Sequence, residues 1–314
     1  MTPPRVSVVI PAFNAGHVIE AALTSVAWQT LRDLEVVLVD DASRDDTVAR
    51  ARACLEGYRL RHTILEMEAN AGPAMTRNRG VVVAQGEYVA FLDADDEWLP
   101  GKLESQIRLM EANPSVTLCG CQALWIDEHD RVVEPLFKRL PTLLPDGWKR
   151  LLWHCYVATP CAMVRRDDLG ICPFDPRLRI GEDRDLWIKL ASNGVVGLVQ
   201  DVMVRIRLSP SSFMPRNRDL IEQHTKPMLR RHLDAFSDLL SWRDHARAIG
   251  CLDRQIGKTL CQNPGTYRRG AQFLLMAMLL GFRPIDSMRE LLYTAPILRR
   301  PKAFLKQRLL QSGG

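Results

Sequence analysis

The chain has 314 residues, 46% hydrophobic and 25% charged, an ordinary balance for a globular protein and enough length for a substantial core and more than one structural unit. Its net charge of +5 conceals an asymmetry: residues 216–314 carry 18 Lys and Arg against 8 Asp and Glu, a net of +10, so the first 215 are net −5, and the two parts are expected to meet different partners. Eight irregularly spaced cysteines with no C-x-x-C pair argue against a zinc site and a disulfide framework, and the longest apolar run, "AQFLLMAMLLGF" (271–282), is short of the ~20 residues that cross a bilayer.

The opening "MTPPRVSVVIPAFN" has no basic n-region, apolar h-region or small-residue cleavage site, so the expectation is a cytoplasmic protein with reduced thiols. "VSVVIPAF" (6–13) and "EVVLVD" (35–40) are β-branched runs of strand length, and "HVIEAALTSVAWQT" (17–30) between them has Ile19, Leu23 and Val26 at helical spacing. A helix is expected over 43–58, with Ser43 as N-cap and Asp46 three residues on in a capping-box arrangement. "HTILEM" (62–67) and "EYVAFLD" (87–93) read as two more strands around the helix "PAMTRNRGVVVAQG". This β-α-β-α-β-α-β order predicts a parallel sheet with helices on both faces. Ligands of such sheets sit beyond the carboxyl ends of the strands, where "PAFN", "DDAS" and "DADD" fall.

From 99 to 215 the pattern is mixed: a helix over 99–114, a strand candidate "VTLCGCQALWID", and an amphipathic helix "EDRDLWIKLASNG" (182–194) closed by Gly194. After about 216 the strand patterns cease and Leu-, Arg- and Ala-rich helical segments follow.

Three acidic groups end strands or open a helix: Asp40/Asp41, Asp93/Asp95/Asp96 and Glu182/Asp183/Asp185. Singly, each reads as a turn or as acids complementing a helix dipole. Together they converge at one edge of a sheet, which scattered capping does not require. Asp-x-Asp there suits Mg²⁺ or Mn²⁺, which take oxygen ligands and often share them with substrate phosphates. "NAGPAMTRNRG" (70–80) opens a helix carrying Arg77 and Arg79, a setting that favours an anion.

Six segments in register, "VSVVIPAFN", "SVAWQT", "EVVLVDDASRDDT", "NAGPAMTRNRG", "GEYVAFLDADDEWLP" and "FDPRLRIGEDRDLWIKLA", make the chain resemble the family 2 glycosyltransferases of GT-A fold over roughly residues 5–212. The resemblance implies an α/β fold with a nucleotide-binding, mainly parallel sheet flanked by helices. It implies a catalytic domain over 1–215, with a donor-binding half (1–98) and an acceptor-binding half (99–215), followed by a basic helical region (216–314). Pro11, Ala12, Phe13 and Asn14 would lie along the nucleotide base, Asp41 would hydrogen-bond it, and Gly72, Arg77, Asp93 and Ala94 would complete the nucleotide-sugar contacts. Asp93 and Asp95 match the DXD motif as ligands of a divalent cation, and Asp183 matches the general base of inverting members. Glu182, Trp187 and Arg207 are expected as acceptor-side or auxiliary residues. One departure stands out: "IRLSPSS" (206–212) keeps Arg207 but has Ser209 where many relatives carry a histidine, a weaker ligand.

The implied reaction moves a sugar from a nucleotide donor, UDP-linked by expectation, to a hydroxyl of a glycan or lipid-linked acceptor with inversion, in cell-surface polysaccharide synthesis. Two other readings stay open, a non-catalytic nucleotide- or glycan-binding relative and a sugar nucleotidyltransferase. The latter should show a glycine-rich basic loop, and residues 5–16 have none. No nucleic-acid partner is expected. The basic, apolar C-terminal helices read either as an element binding an anionic membrane surface at its inner face or as a packing surface.

Overall fold

The computed structural model describes residues 2–127, 129–208, 220–261, 264–281 and 283–294. It forms two compact units, residues 1–151 with 155–216, and residues 152–154 with 217–314.

The first unit begins with the expected alternation: β1 (Val6–Ala12), α1 (Ile19–Ala27), β2 (Leu34–Asp40), α2 (Thr47–Gly57), β3 (Arg61–Glu66), α3 (Pro73–Val83) and β4 (Tyr88–Phe91). These strands lie in the order β3-β2-β1-β4, all parallel. β2 is buried along its whole length, as a central parallel strand must be when helices cover both faces. Val6, Val8 and Ile10 of β1 share a core with Ile19, Leu23 and Val26 of α1 and with Ala51 and Leu55 of α2. α3 packs on β1 and β2. Gly80 permits its close approach, because a Cβ there would stand 2.4 Å from Val9 Cγ1.

The second half of this unit extends the same sheet with β5 (Glu97–Trp98), β6 (Val116–Ile126), β7 (Val132–Pro135), β8 (Leu143–Leu144), β9 (Met163–Arg165) and β10 (Val195–Arg207). The path continues β4-β9-β6-β10-β5, with β7 beside β6 and β8 beside β10. β9 runs antiparallel to β4 and β6, whereas β6 and β10 are parallel. Helices α4 (Lys102–Ala112), α5 (Gly147–Leu151) and α6 (Glu182–Ser192) belong to this half. The second unit holds α7 (Lys226–Ala235), α8 (Trp242–Cys261), α9 (Tyr267–Leu279) and α10 (Pro284–Thr294), and no strand among the described residues.

The Ser43 capping box is corrected. α2 begins at Thr47, and the hydroxyl of Ser43 instead accepts the Asn14 N–H at 2.8 Å. Its own N–H is taken by Asp40 Oδ2 at 2.9 Å, so residues 41–46 form a loop. Ser209 and the basic segment 295–314, including Phe304 and Leu305, lie outside the described residues.

A charged side chain sits in the core between the two halves of the sheet. Lys102 of α4 has no exposed surface; its Nζ donates to Gln106 Oε1 at 2.8 Å and stands 4.0 Å from the Trp98 ring centroid. Gln106 Nε2 in turn donates to the carbonyls of Cys119 and Cys161. Burial lowers the Lys102 pKa below 10.5. Between the lowered value and 10.5 the unfolded chain holds this proton more tightly than the folded one, so the group makes stability rise with pH across that window. Replacing Lys102 by Met should flatten that rise in denaturant titrations at a series of alkaline pH values; an unchanged slope would assign it to another group.

Candidate active site

The carboxyl ends of β1, β2 and β3 bring three loops together. After β1 the chain turns through Asn14 in the left-handed region (φ 48°), and its Oδ1 accepts the Arg44 N–H at 2.9 Å. The N–H groups of Ala15 and Gly16 donate to Thr47 Oγ1 and Asp45 Oδ2, which ties the first loop to the second. Asp41 joins the third. Its N–H donates to the Ala12 carbonyl at 2.8 Å, and its two carboxylate oxygens accept Ala71 N–H at 2.8 Å and Gly72 N–H at 2.9 Å. Gly72 precedes α3 with φ 85°, which favours glycine, and Pro73 follows at the first helical turn, where no N–H is needed. Pro11 and Ala12 end β1, and Phe13 stands half exposed beside them.

Beyond β4, Asp93 and Glu182 meet across Arg77. Arg77 Nη2 is 2.7 Å from Asp93 Oδ1, and Nη1 is 2.7 Å from Glu182 Oε1. Its guanidinium also lies over the Phe174 ring, 5.6 Å from the centroid. Burial opposes the charge of Arg77, but Asp93, Glu182 and Asp183 more than offset it and its pKa is raised. Arg77 is therefore a buried counter-charge holding two carboxylates. Only 5% of it is exposed, so it presents no free guanidinium to solvent.

Asp183, in the first turn of α6, is pinned through both oxygens: Oδ1 accepts Arg184 N–H at 2.6 Å and Oδ2 accepts the Thr159 hydroxyl at 3.1 Å. Burial raises its pKa, with Arg77 and these hydrogen bonds acting the other way. Asp96 is buried, and desolvation with the charges of Asp95 and Asp93 pushes its pKa well up. Its Oδ1 accepts the Arg207 N–H at 2.9 Å. Asp95 and Ala94 complete this turn, Asp95 half-buried. Arg207 pairs with Glu97 and Asp130, each at 2.9 Å.

Trp187 has no exposed surface and packs against Phe91 and Phe174 at centroid distances of 5.9 and 6.2 Å, so of the acceptor-side or auxiliary roles expected for it only the auxiliary one, through the core, is open to it. Glu182 is buried and reaches the site through Arg77. Two residues escaped the sequence reading. Thr159 lies in a short 3₁₀ turn before Pro160 with no motif around it. Asn78 donates to the Phe174 carbonyl at 2.8 Å and accepts its N–H at 2.9 Å, tying α3 to the segment before α6. Asn78 stood inside the quoted "NAGPAMTRNRG", and only its partner was out of view.

Among the described residues no group of three or more His, Cys, Asp or Glu is placed to hold a metal ion. Asp93 and Asp95 are hard oxygen donors flanked by excess negative charge, a set that fits a cation bringing further oxygen ligands with a diphosphate. Arg77→Met should leave Asp93 and Glu182 without their counter-charge and destabilise the fold by about 3 kcal/mol, read as a lowered denaturation midpoint.

The family model for glycosyl transferase family 2 matches residues 7–170. An uncharacterized glycosyltransferase of Rickettsia felis is 30% identical over 216 residues, 68% of this chain and 35% of that protein; the chain spans about a third of the length of the rickettsial relatives it matches. The UDP-Glc:alpha-D-GlcNAc-diphosphoundecaprenol beta-1,3-glucosyltransferase WfgD of Escherichia coli is 29% identical over 237 residues, 75% of this chain and 86% of that one. The fold is also similar to a mannosyltransferase of Pyrobaculum calidifontis in complex with GDP-Man and Mn²⁺, with TM-score 0.62 and 23% identity over 99% of this chain and 85% of that one. With the parallel sheet, the acid-rich strand ends and a family match over more than half of its length, the chain belongs to glycosyl transferase family 2.

Proposed function

We propose that the chain transfers a sugar, with inversion, from a nucleoside diphosphate donor to a hydroxyl of a glycan or lipid-linked acceptor, in the synthesis of a surface polysaccharide. The observation that carries this reading is the convergence of Asp93, Glu182 and Asp183 on Arg77 at the carboxyl edge of the sheet. Residues 1–98 would hold the donor and 99–215 the acceptor. The relative that names a UDP-glucose donor and a diphosphoundecaprenol acceptor supports the substrate classes. The GDP-mannose and Mn²⁺ of the similar structure support a nucleotide sugar with a cation.

Asp93 and Asp95 would hold Mg²⁺ or Mn²⁺. The cation would supply charge stabilisation for the departing diphosphate. Arg77 holds Asp93 in place. The loop of Pro11–Asn14 and Asp41 would line the base. Asp183 accepts the proton of the acceptor hydroxyl as its oxygen bonds to the anomeric carbon, and the C–O bond to the diphosphate breaks with its electron pair leaving on phosphate oxygen. Thr159 and Arg184 N–H orient the carboxylate, while burial makes it a stronger base than an exposed aspartate. A nucleotidyltransferase is disfavoured by the loop after β1, which is stitched by Asn14 rather than being glycine-rich and basic.

Release of nucleoside diphosphate from a panel of nucleotide sugars is the primary test. Asp183→Asn should lower kcat by about 10² or more with donor affinity nearly unchanged; loss of donor binding with turnover retained would remove Asp183 from the base role. Because protonated Asp183 cannot accept a proton, the acid limb of the kcat/KM profile should lie above 3.8, in the direction burial shifts it. Asp95→Asn should abolish most turnover without unfolding the chain, and excess chelator should do the same to the wild type. Full activity in chelator would sink the cation assignment.

A further inference from the structure

The second unit carries an outward apolar surface that glycosyl transfer does not use. α9 is apolar on two faces: Gly270, Leu274 and Ala277 are buried, while Leu275, Met276 and Leu279 are exposed, Leu279 by 81%. A helix at a protein surface normally turns polar side chains outward. After the turn at Gly281, α10 continues the pattern with Ile285, 70% exposed, and Met288. α9 packs against α10, so these five side chains belong to one helical hairpin. Five exposed apolar side chains gathered on one hairpin exceed the single scattered ones that need no explanation.

The charge around it selects the partner. Arg268, Arg269, Arg283 and Arg289 are exposed on the same hairpin, whose acids are Asp286 and Glu290. A second copy of this surface would bring like charges face to face, which opposes pairing. An anionic lipid surface instead accepts both features, the arginines at the headgroups and the apolar side chains at the acyl boundary. No helix among the described residues is long and apolar enough to cross a membrane, so the hairpin would lie in the interface.

We propose that the α9–α10 hairpin docks the protein on an anionic bilayer, with Leu279 and Ile285 inserted and Arg283 and Arg289 on the headgroups. The proposal goes beyond glycosyl transfer and does not depend on it, since its test uses no donor or acceptor.

The test is co-sedimentation of the full chain with vesicles of phosphatidylcholine alone or with phosphatidylglycerol. The wild type should bind the anionic vesicles and bind the neutral ones weakly. Each arginine near the surface is worth roughly a fivefold change in partitioning, so Arg283→Gln with Arg289→Gln should lower binding by about twentyfold. Leu279→Ser with Ile285→Ser should lower it by about tenfold or more and remove the part that survives high salt. Both pairs are exposed, and circular dichroism with thermal melts checks that the variants fold. Leu279→Trp keeps the apolar surface, and brominated anionic lipid should quench the emission it adds to the wild-type spectrum. Absence of wild-type binding, equal binding to both vesicle types, or unquenched emission at position 279 would overturn the proposal. So would a wild-type dimer in light scattering that Leu279→Ser with Ile285→Ser dissolves without changing vesicle binding.

Discussion

The site depends on one buried cation. Asp93, Glu182 and Asp183 are brought to one edge of a sheet from elements far apart in sequence, and without a counter-charge they would repel one another and resist burial. Arg77 answers this by presenting one terminal nitrogen to Asp93 and the other to Glu182, and the rigid guanidinium fork fixes both directions at once, as a flexible ammonium would not. The Arg77–Glu182 pair joins α3, the third helical crossover of the sheet, to the opening of α6. The Phe174 ring lies against the same guanidinium, 5.6 Å away at its centroid, and Asp183, next to Glu182, is held separately by Arg184 N–H and the Thr159 hydroxyl.

A second constraint arranges the rest of the edge. Asp41 accepts two backbone N–H groups from the entry to α3 through its carboxylate and donates its own N–H to the end of β1. Three successive strand ends are thus fixed to one another, mainly by side chains that accept backbone N–H groups. A loop tied in this way can face a ligand with its polar groups already oriented. Preorganised polar groups stabilise developing charge without the reorganisation that water would need.

The acids at this edge are alike in chemistry and unlike in environment. Asp96 is buried beside two other carboxylates, and desolvation with their charges raises its pKa well above the usual carboxylate range. Asp183 is also raised by burial, yet Arg77 and two hydrogen bonds favour its ionised form. Like groups are thus given unlike proton affinities by their surroundings. The second unit follows a different logic, with helices, exposed apolar side chains and an excess of basic residues.

The first half of the fold was legible in the sequence because its information is local. β-branched runs of strand length, helical spacing between them and acids at strand ends define the alternation β1 to β4, and the parallel sheet follows from the connections. The same periodicity put Asp41, Asp93 and Asp95 at strand ends, while Asp183 was singled out by the family resemblance. What only the tertiary structure decided were pairings between residues with no sequence relation. Arg77 meets Glu182, Asp183 takes the Thr159 hydroxyl, and Asn78 clamps Phe174. Local pattern also misassigned Ser43, because the S-x-x-D spacing of a capping box cannot tell that the hydroxyl is needed by Asn14. Trp187 lay in a motif near the proposed base, but its helix turns it into the core with Phe91 and Phe174. Periodicity tells which face of an element is apolar; which groups meet across the sheet is set by packing, where a buried charge or donor must find its partner wherever the chain supplies one.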